Sequence, residues 1–214
     1  MGKEYEFQIL DVNVPKMRKL LKEHNGKRVH KNTRMVRSVF KRCNIEQNGY
    51  VRVRSENNKV TMTCKIYNND KFPDEYEISL NEDFETGKKF LKSLNLQEVS
   101  YQETYREKWS LPMKGVNEIT FDTWPGLPTF MEIDCTNITV MNKLKKIFNP
   151  DISKITYGAT GKKYELYYGI PQKFADNSIP SMTFKNTLNE IVPLKNKEFF
   201  IKVVKDHKKK LKIK

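Results

Sequence analysis

Apolar and polar residues alternate with period two over much of this chain. In "EYEFQIL" (4–10), Tyr5, Phe7 and Ile9 share one face of a strand, and Glu4, Glu6 and Gln8 share the other. The same alternation marks "TRMVRSVFKR" (33–42), "YVRVRSE" (50–56), "KVTMTCKIY" (59–67) and "DEYEISL" (74–80). Three later stretches, "VSYQETYREKWSLP", "NEITFDTWPGLP" and "TFMEIDC", read as strands as well. Asn57-Asn58 predicts a hairpin turn. Helical periodicity appears in "VPKMRKLLKEHN" (14–25), with Pro15 near its start and Met17, Leu20 and Leu21 as its stripe. It recurs in "DFETGKKFLKSLN" (83–95), with Asp83 as N-cap, and in "TVMNKLKKIFN" (139–149). About eight strands in mostly hairpin order are expected, with two or three helices between them.

The polar faces carry same-sign pairs two residues apart. Arg52/Arg54 and Arg106/Lys108 are basic; Glu4/Glu6, Glu75/Glu77 and Glu132/Asp134 are acidic. Lys65 shares its face with Thr63. Solvated outer faces of an ordinary sheet are the simplest account of any one strand. Across six strands that account weakens, because a solvated face gains from mixing signs. If the sheet closes into a barrel, acids and bases share one lumen and helices cover the apolar outside. A charged lumen is costly unless its charges are paired or meet a ligand. Basic rows suit a polyanion, and carboxylates suit a hard cation such as Mg or Mn. The glutamates of the first strand are therefore expected to face a metal.

Composition narrows the partners. The 214 residues carry a formal net charge of +14, which favours an anion such as a nucleotide, polyphosphate, nucleic acid or acidic membrane. Cys43, Cys64 and Cys135 lack metal-ligand spacing and are read as reduced thiols in a cytosol-like compartment. Neither a signal peptide nor an apolar run long enough to span a bilayer is read, so a soluble, cytoplasmic protein without a membrane partner is expected.

The ordered set "EYEFQ", "MVRSVF", "YVRVRSENNKVTMTCK", "EYEISL", "YREKW", "FDTWPGLPTFMEID" and "YELYYGIP" resembles the CYTH domain, or triphosphate tunnel metalloenzyme, family. That family includes class IV adenylyl cyclases, thiamine triphosphatases, tripolyphosphatases and RNA triphosphatases. The resemblance covers residues 1–170 and leaves 171–214 as a C-terminal extension with a basic tail. It implies an α+β fold: an eight-stranded antiparallel β-barrel tunnel with helices packed outside. It also implies a metal-dependent triphosphatase acting on a triphosphate-bearing small molecule or nucleotide, with Mg or Mn. RNA 5′-triphosphate is a further candidate substrate. A nucleotidyl cyclase and a non-catalytic nucleotide or polyphosphate binding module are the alternatives. Carried over position by position, Glu4, Glu6, Glu132 and Asp134 match metal ligands. Arg52, Arg54, Lys65 and Arg106 match triphosphate-binding positions, with Arg37 and Lys108 beside them. Asp122 matches the acid before the Pro-Gly turn, and Arg52, Lys65, Arg106 and Asp122 are the catalytic candidates. Glu75 and Glu77 match a pair that orients the basic residues. Two positions depart from the family: Gln8 stands where the signature has lysine, and Thr104 replaces a common lysine. Gln8 can still donate to a phosphate oxygen, and Lys108 is a candidate to compensate.

Other features are expected to be structural. His24, His30 and His207 read as surface residues, and Trp109 and Trp124 as core or rim packing. Gly158 and Gly161 read as a turn joining helices. Tyr164 and Tyr168 either close one tunnel mouth or only pack. "PQKFADNSIPSM" reads as a loop, "TFKNTLNEIV" as a helix and "KDHKKKLKIK" as a solvated tail, for which nucleic-acid binding is the functional alternative.

Overall fold

The computed structural model describes residues 2–3, 5–42, 48–67, 72–185 and 194–213. Its strands are β1 (Gly2–Lys3), β2 (Tyr5–Ile9), β3 (Lys27–Lys41), β4 (Asn48–Glu56), β5 (Lys59–Tyr67), β6 (Asp74–Leu80), β7 (Glu98–Ser110), β8 (Val116–Thr123), β9 (Phe130–Cys135), β10 (Ile155–Thr156) and β11 (Ser181–Met182). They form one sheet in the order β1-β6-β5-β4-β3-β7-β8-β9-β2-β10, with β11 parallel to β7. The N-terminal segment joins the two edges. Residues 2–3 ladder with β6, and residues 5–9 ladder with β9. The sheet thus curls into an antiparallel barrel, which satisfies edge donors and acceptors that would otherwise attract other chains. Counted as one interrupted segment, β1 and β2 give the expected eight strands; the two-residue β10 and β11 are additions.

Strand parity decides what faces where. Phe7, Ile9, Trp109, Ile119, Phe121, Met131 and Ile133 lie outside the barrel in one buried core. Helices α1 (Val14–Glu23) and α3 (Ile138–Phe148) cover it with Met17, Leu21, Met141 and Leu144. The side chain of Asn13 accepts from Lys16 N and that of Asn137 from Val140 N, satisfying donors that the first turns leave open. On the opposite flank, α2 (Phe84–Ser93), capped by Asp83, packs Leu91 on Phe40 and Val53.

A second core lies beyond the barrel rim. Leu10, Trp124, Leu127 and Phe130 meet Tyr164 and Tyr168 of α4 (Gly161–Tyr168) and Phe200 of α6 (Lys197–Leu211). Several expectations for this region are corrected. The stretch 171–182, read as loop, contains α5 (Gln172–Asn177) and β11. The tail read as a solvated charge run belongs largely to α6, whose Phe200, Val203 and His207 are buried. Gly158 and Gly161 lie between β10 and the start of α4, not between two helices. Of "TFKNTLNEIV", residues 183–185 are not helical and 186–192 lie outside the described residues.

Candidate functional site

The lumen has a basic wall and an acidic wall, a division set by which strands neighbour each other. On β3 and β4, Arg37 and Arg54 sit directly opposite, and Arg52 follows two residues away on the same face. Arg52 Nε donates to Thr63 Oγ1 at 3.2 Å, and Arg54 Nη2 to Glu77 Oε2 at 3.3 Å. Lys65 Nζ lies 3.0 Å from Glu75 Oε2. Glu75 and Glu77 therefore hold three of the basic side chains.

On the acidic wall, Glu118, Asp134 and Glu6 stand side by side across β8, β9 and β2. Beside them, Gln8 is opposite Glu132. Three carboxylates on adjacent strands repel, so this row wants cations. Arg106 supplies one. It donates through Nε to Asp122 Oδ1 at 2.7 Å and through Nη2 to Asp122 Oδ2 at 2.6 Å. It also reaches Glu132 at 3.1 Å and Glu118 at 3.3 Å. Burial pulls the Arg106 pKa down, but Asp122, Glu132 and Glu118 together hold it well above the usual value. Burial pushes Glu132 up, yet Arg106, then Lys163, Lys65 and Arg37, bring it below the usual carboxylate range. Lys108 pairs with Glu118 near the rim, where about 30% of its side chain is exposed.

Arg37 is different. It is 8% exposed, and its guanidinium lies 4.6 Å from the centre of the Trp124 ring. Nη2 makes a long 3.4 Å bond to Thr104 Oγ1, and Nε has no hydrogen-bond acceptor among the described residues. Among the described residues no carboxylate pairs with it. Burial, then Arg52, Arg106 and Arg54, push its pKa down to about 9. Burial and neighbouring guanidiniums lower Arg54 as well.

Residues 3–168 match the CYTH domain. The chain belongs to the CYTH family. Solved structures agree on the fold. A Vibrio parahaemolyticus protein, provisionally named an adenylate cyclase, is 12% identical with a TM-score of 0.64, covering 76% of this chain and 98% of that one. The PH1012 protein of Pyrococcus horikoshii is 14% identical with a TM-score of 0.60, covering 74% and 96%. A conserved hypothetical protein of Pyrococcus furiosus is 15% identical with a TM-score of 0.59, covering 75% and 99%. At such identities the likeness concerns the fold alone. No curated protein matches this chain by sequence.

Within this CYTH barrel, Gln8, Arg37, Arg52, Arg54, Lys65, Arg106, Asp122, Glu132, Glu6 and Asp134 all come from lumen-facing positions, with Lys108 at the rim. Glu4 lies outside the described residues, as does Cys43. Lys163 was missed. It projects from α4, is 2% exposed, and its Nζ donates to Gln8 Oε1 at 2.6 Å. Gln8 Nε2 in turn reaches Glu132 Oε2 at 3.0 Å, Glu6 Oε1 at 3.2 Å and Gly158 O at 3.2 Å. A cation thus stands beside the place of the family lysine, and it is Lys163, not Lys108. Burial lowers the Lys163 pKa, opposed by Glu132 and Glu6. The only sequence signal was a lysine in a short helix of weak amphipathicity, which names no partner. Glu118 was also missed, because "VNEITFDT" shows one acid at that end and the row exists only across strands.

Two histidine expectations are corrected. His30 Nε2 lies 3.1 Å from Glu56 with its side chain mostly covered. His207 is buried, and burial pushes its pKa down to about 4. Trp109 and Trp124 are core residues as expected, although Trp124 also touches the lumen through Arg37. Tyr164 and Tyr168 are fully buried; their hydroxyls donate to Pro125 O (2.8 Å) and Gly126 O. Among the described residues, no helix is long and apolar enough to cross a membrane.

Proposed function

We propose that this CYTH domain binds a triphosphate-bearing small molecule in its lumen and hydrolyses it with the help of a divalent cation. Arg37 carries the reading. It is a buried guanidinium with no carboxylate partner among the described residues, crowded by Arg52, Arg54 and Arg106. Crowded buried cations repel each other, and burial adds its own cost. A polyanion relieves both. Arginine forks match phosphate oxygens two at a time, so Arg37, Arg52 and Arg54 form the proposed grip. Lys65, Lys108 and Lys163 add charge along the lumen. Both oxygens of Asp122 are occupied by Arg106, so in this reading Asp122 is a positioning residue that aims Arg106 at the substrate.

The acidic wall fits a hard cation by its donor chemistry. Glu6, Asp134 and Glu132 offer the carboxylate oxygens that Mg or Mn takes, and Glu4 joins them on the family pattern. No cluster of three or more ligating side chains is closed among the described residues. In this reading phosphate oxygens and water would complete the ion's coordination. Such an ion would neutralise phosphate charge and lower the pKa of a water. The chain's own part is positioning and charge: Arg37, Arg52 and Arg54 fix the phosphates, and Arg106 stabilises negative charge on the leaving diphosphate.

Incubating the protein with tripolyphosphate, ATP, thiamine triphosphate and 5′-triphosphate RNA, with Mg or Mn, tests the reading. Metal-dependent release of phosphate is expected. Cyclic nucleotide with diphosphate would replace this reading with a cyclase. Binding without turnover, the outcome that Gln8 and Thr104 favour, would make the lumen a binding module.

A further inference from the structure

The turn between β8 and β9, Trp124 to Leu127, is gripped from outside by helices and touches the lumen from inside. Gly126 has φ +75°, a conformation that disfavours side chains, and the Phe200 ring of α6 lies directly on its Cα side. A Cβ at Gly126 would come within 2.0 Å of Phe200 Cε2, so no other residue fits under that ring. The hydroxyls of Tyr164 and Tyr168 hold the carbonyls of Pro125 and Gly126. The buried His207 lies close to the backbone of Leu127. One residue before this clamp, the Trp124 ring supports the Arg37 guanidinium at 4.6 Å. Trp124 Nε1 and Arg37 Nε are both buried donors without acceptors among the described residues. Phe200 and His207 lie beyond residue 168, where the CYTH match ends.

We propose that Phe200 is a positioning residue for the lumen. By pinning Gly126 it seats Trp124 beneath Arg37, so that anion capture by Arg37 depends on a helix outside the CYTH domain. The inference rests on the reading of the lumen as a phosphate site, but its physical core, coupling of α6 to Trp124, does not. Among the described residues no carboxylate pairs with this guanidinium, and its contacts include the long bond to Thr104 and the Trp124 ring. The π face of Trp124 therefore helps to fix its place, and that face is only as well placed as the turn that carries it.

The test uses the full-length chain with Trp109→Phe, which leaves Trp124 as the sole indole. Emission, acrylamide quenching of Trp124 and affinity for tripolyphosphate are measured before and after Phe200→Ala. The expected result is altered emission, easier quenching and affinity about tenfold weaker, the scale of losing a desolvated cation–π contact. Phe200→Leu, which still fills the space over Gly126, should recover most of the affinity. If Phe200→Ala does not fold, Phe200→Val, too short to cover Gly126 but still apolar, carries the comparison. A Phe200→Ala or Phe200→Val protein that melts earlier but keeps the parent's emission, quenching and affinity would reduce Phe200 to a packing residue and overturn the proposal. If the parent binds no tripolyphosphate, the phosphate reading fails separately, and unchanged Trp124 emission and quenching would still overturn the coupling.

Discussion

Gln8 and Lys163 act as a unit. Lys163 donates to the Gln8 carbonyl, and the Gln8 amide donates to Glu132 and Glu6, so the neutral amide passes a cation's influence onto the acidic wall. Placing lysine at position 8 would put two ammonium groups within bonding reach in a buried space. Gln8→Lys is therefore expected to destabilise the fold by ~1–3 kcal/mol and to weaken tripolyphosphate binding. The exchange Gln8→Lys with Lys163→Gln should recover much of both losses, a strongly non-additive cycle readable by denaturant melts and calorimetry. Additive losses would show that the two side chains do not share a task. His207 supplies a pH prediction. Its folded pKa is pushed down from 6.5 to about 4 by burial, with Lys210 adding to the shift. The unfolded chain therefore binds more protons between those values. The contribution is complete above 6.5 and is lost as pH falls toward 4, a loss of about 3 kcal/mol at most. His207→Leu should flatten stability against pH in that window; an unchanged slope would mean that His207 is solvated.

The β4–β5 hairpin sets the basic wall. Asn57 and Asn58 have φ of 47° and 65°, the left-handed pair that a two-residue hairpin turn requires. Its register places Arg52 opposite Thr63 and Arg54 opposite Thr61. A slip by one residue would turn both arginines out to the apolar flank under α2. Asn58→Gly is expected to be neutral or stabilising, whereas Asn58→Val should cost ~1–2 kcal/mol, since a branched side chain resists positive φ. Thermal melts distinguish the two. If Asn58→Val were as stable as the parent, the turn would not be what fixes the register.

At the scale of the whole molecule, barrel closure brings a basic wall to face an acidic one, and the acidic row carries the metal prediction. Glu6→Gln with Asp134→Asn removes two of three adjacent carboxylates. Without metal this variant should be as stable as wild type or more so, because like-charge repulsion is relieved. Wild type should gain stability with Mg or Mn, by about 2.7 kcal/mol at a hundredfold excess over Kd, and the variant should not. An equal metal-dependent gain in both proteins would remove Glu6 and Asp134 from the proposed metal site.

Much of this was decided by sequence alone, and for a local reason. A period of two assigns Glu6, Arg52, Arg54, Arg106, Glu132 and Asp134 to one face of their strands whatever the strands later pair with. Helix caps at Asp83 and the turn at Asn57-Asn58 are equally local. Tertiary structure decided what depends on distant segments meeting. The N-terminal segment closes the barrel by bonding β6 on one side and β9 on the other. Lys163 reaches Gln8 across 155 positions, and nothing in "GKKYE" names that partner. The C-terminal half of α6 reads as part of a lysine-rich tail because its outward face is basic. Only packing reveals that Phe200 and His207 point the other way, onto a turn that begins under Arg37. Alternation is written residue by residue, but a buried lysine or an interior histidine takes its meaning from the groups that fold around it.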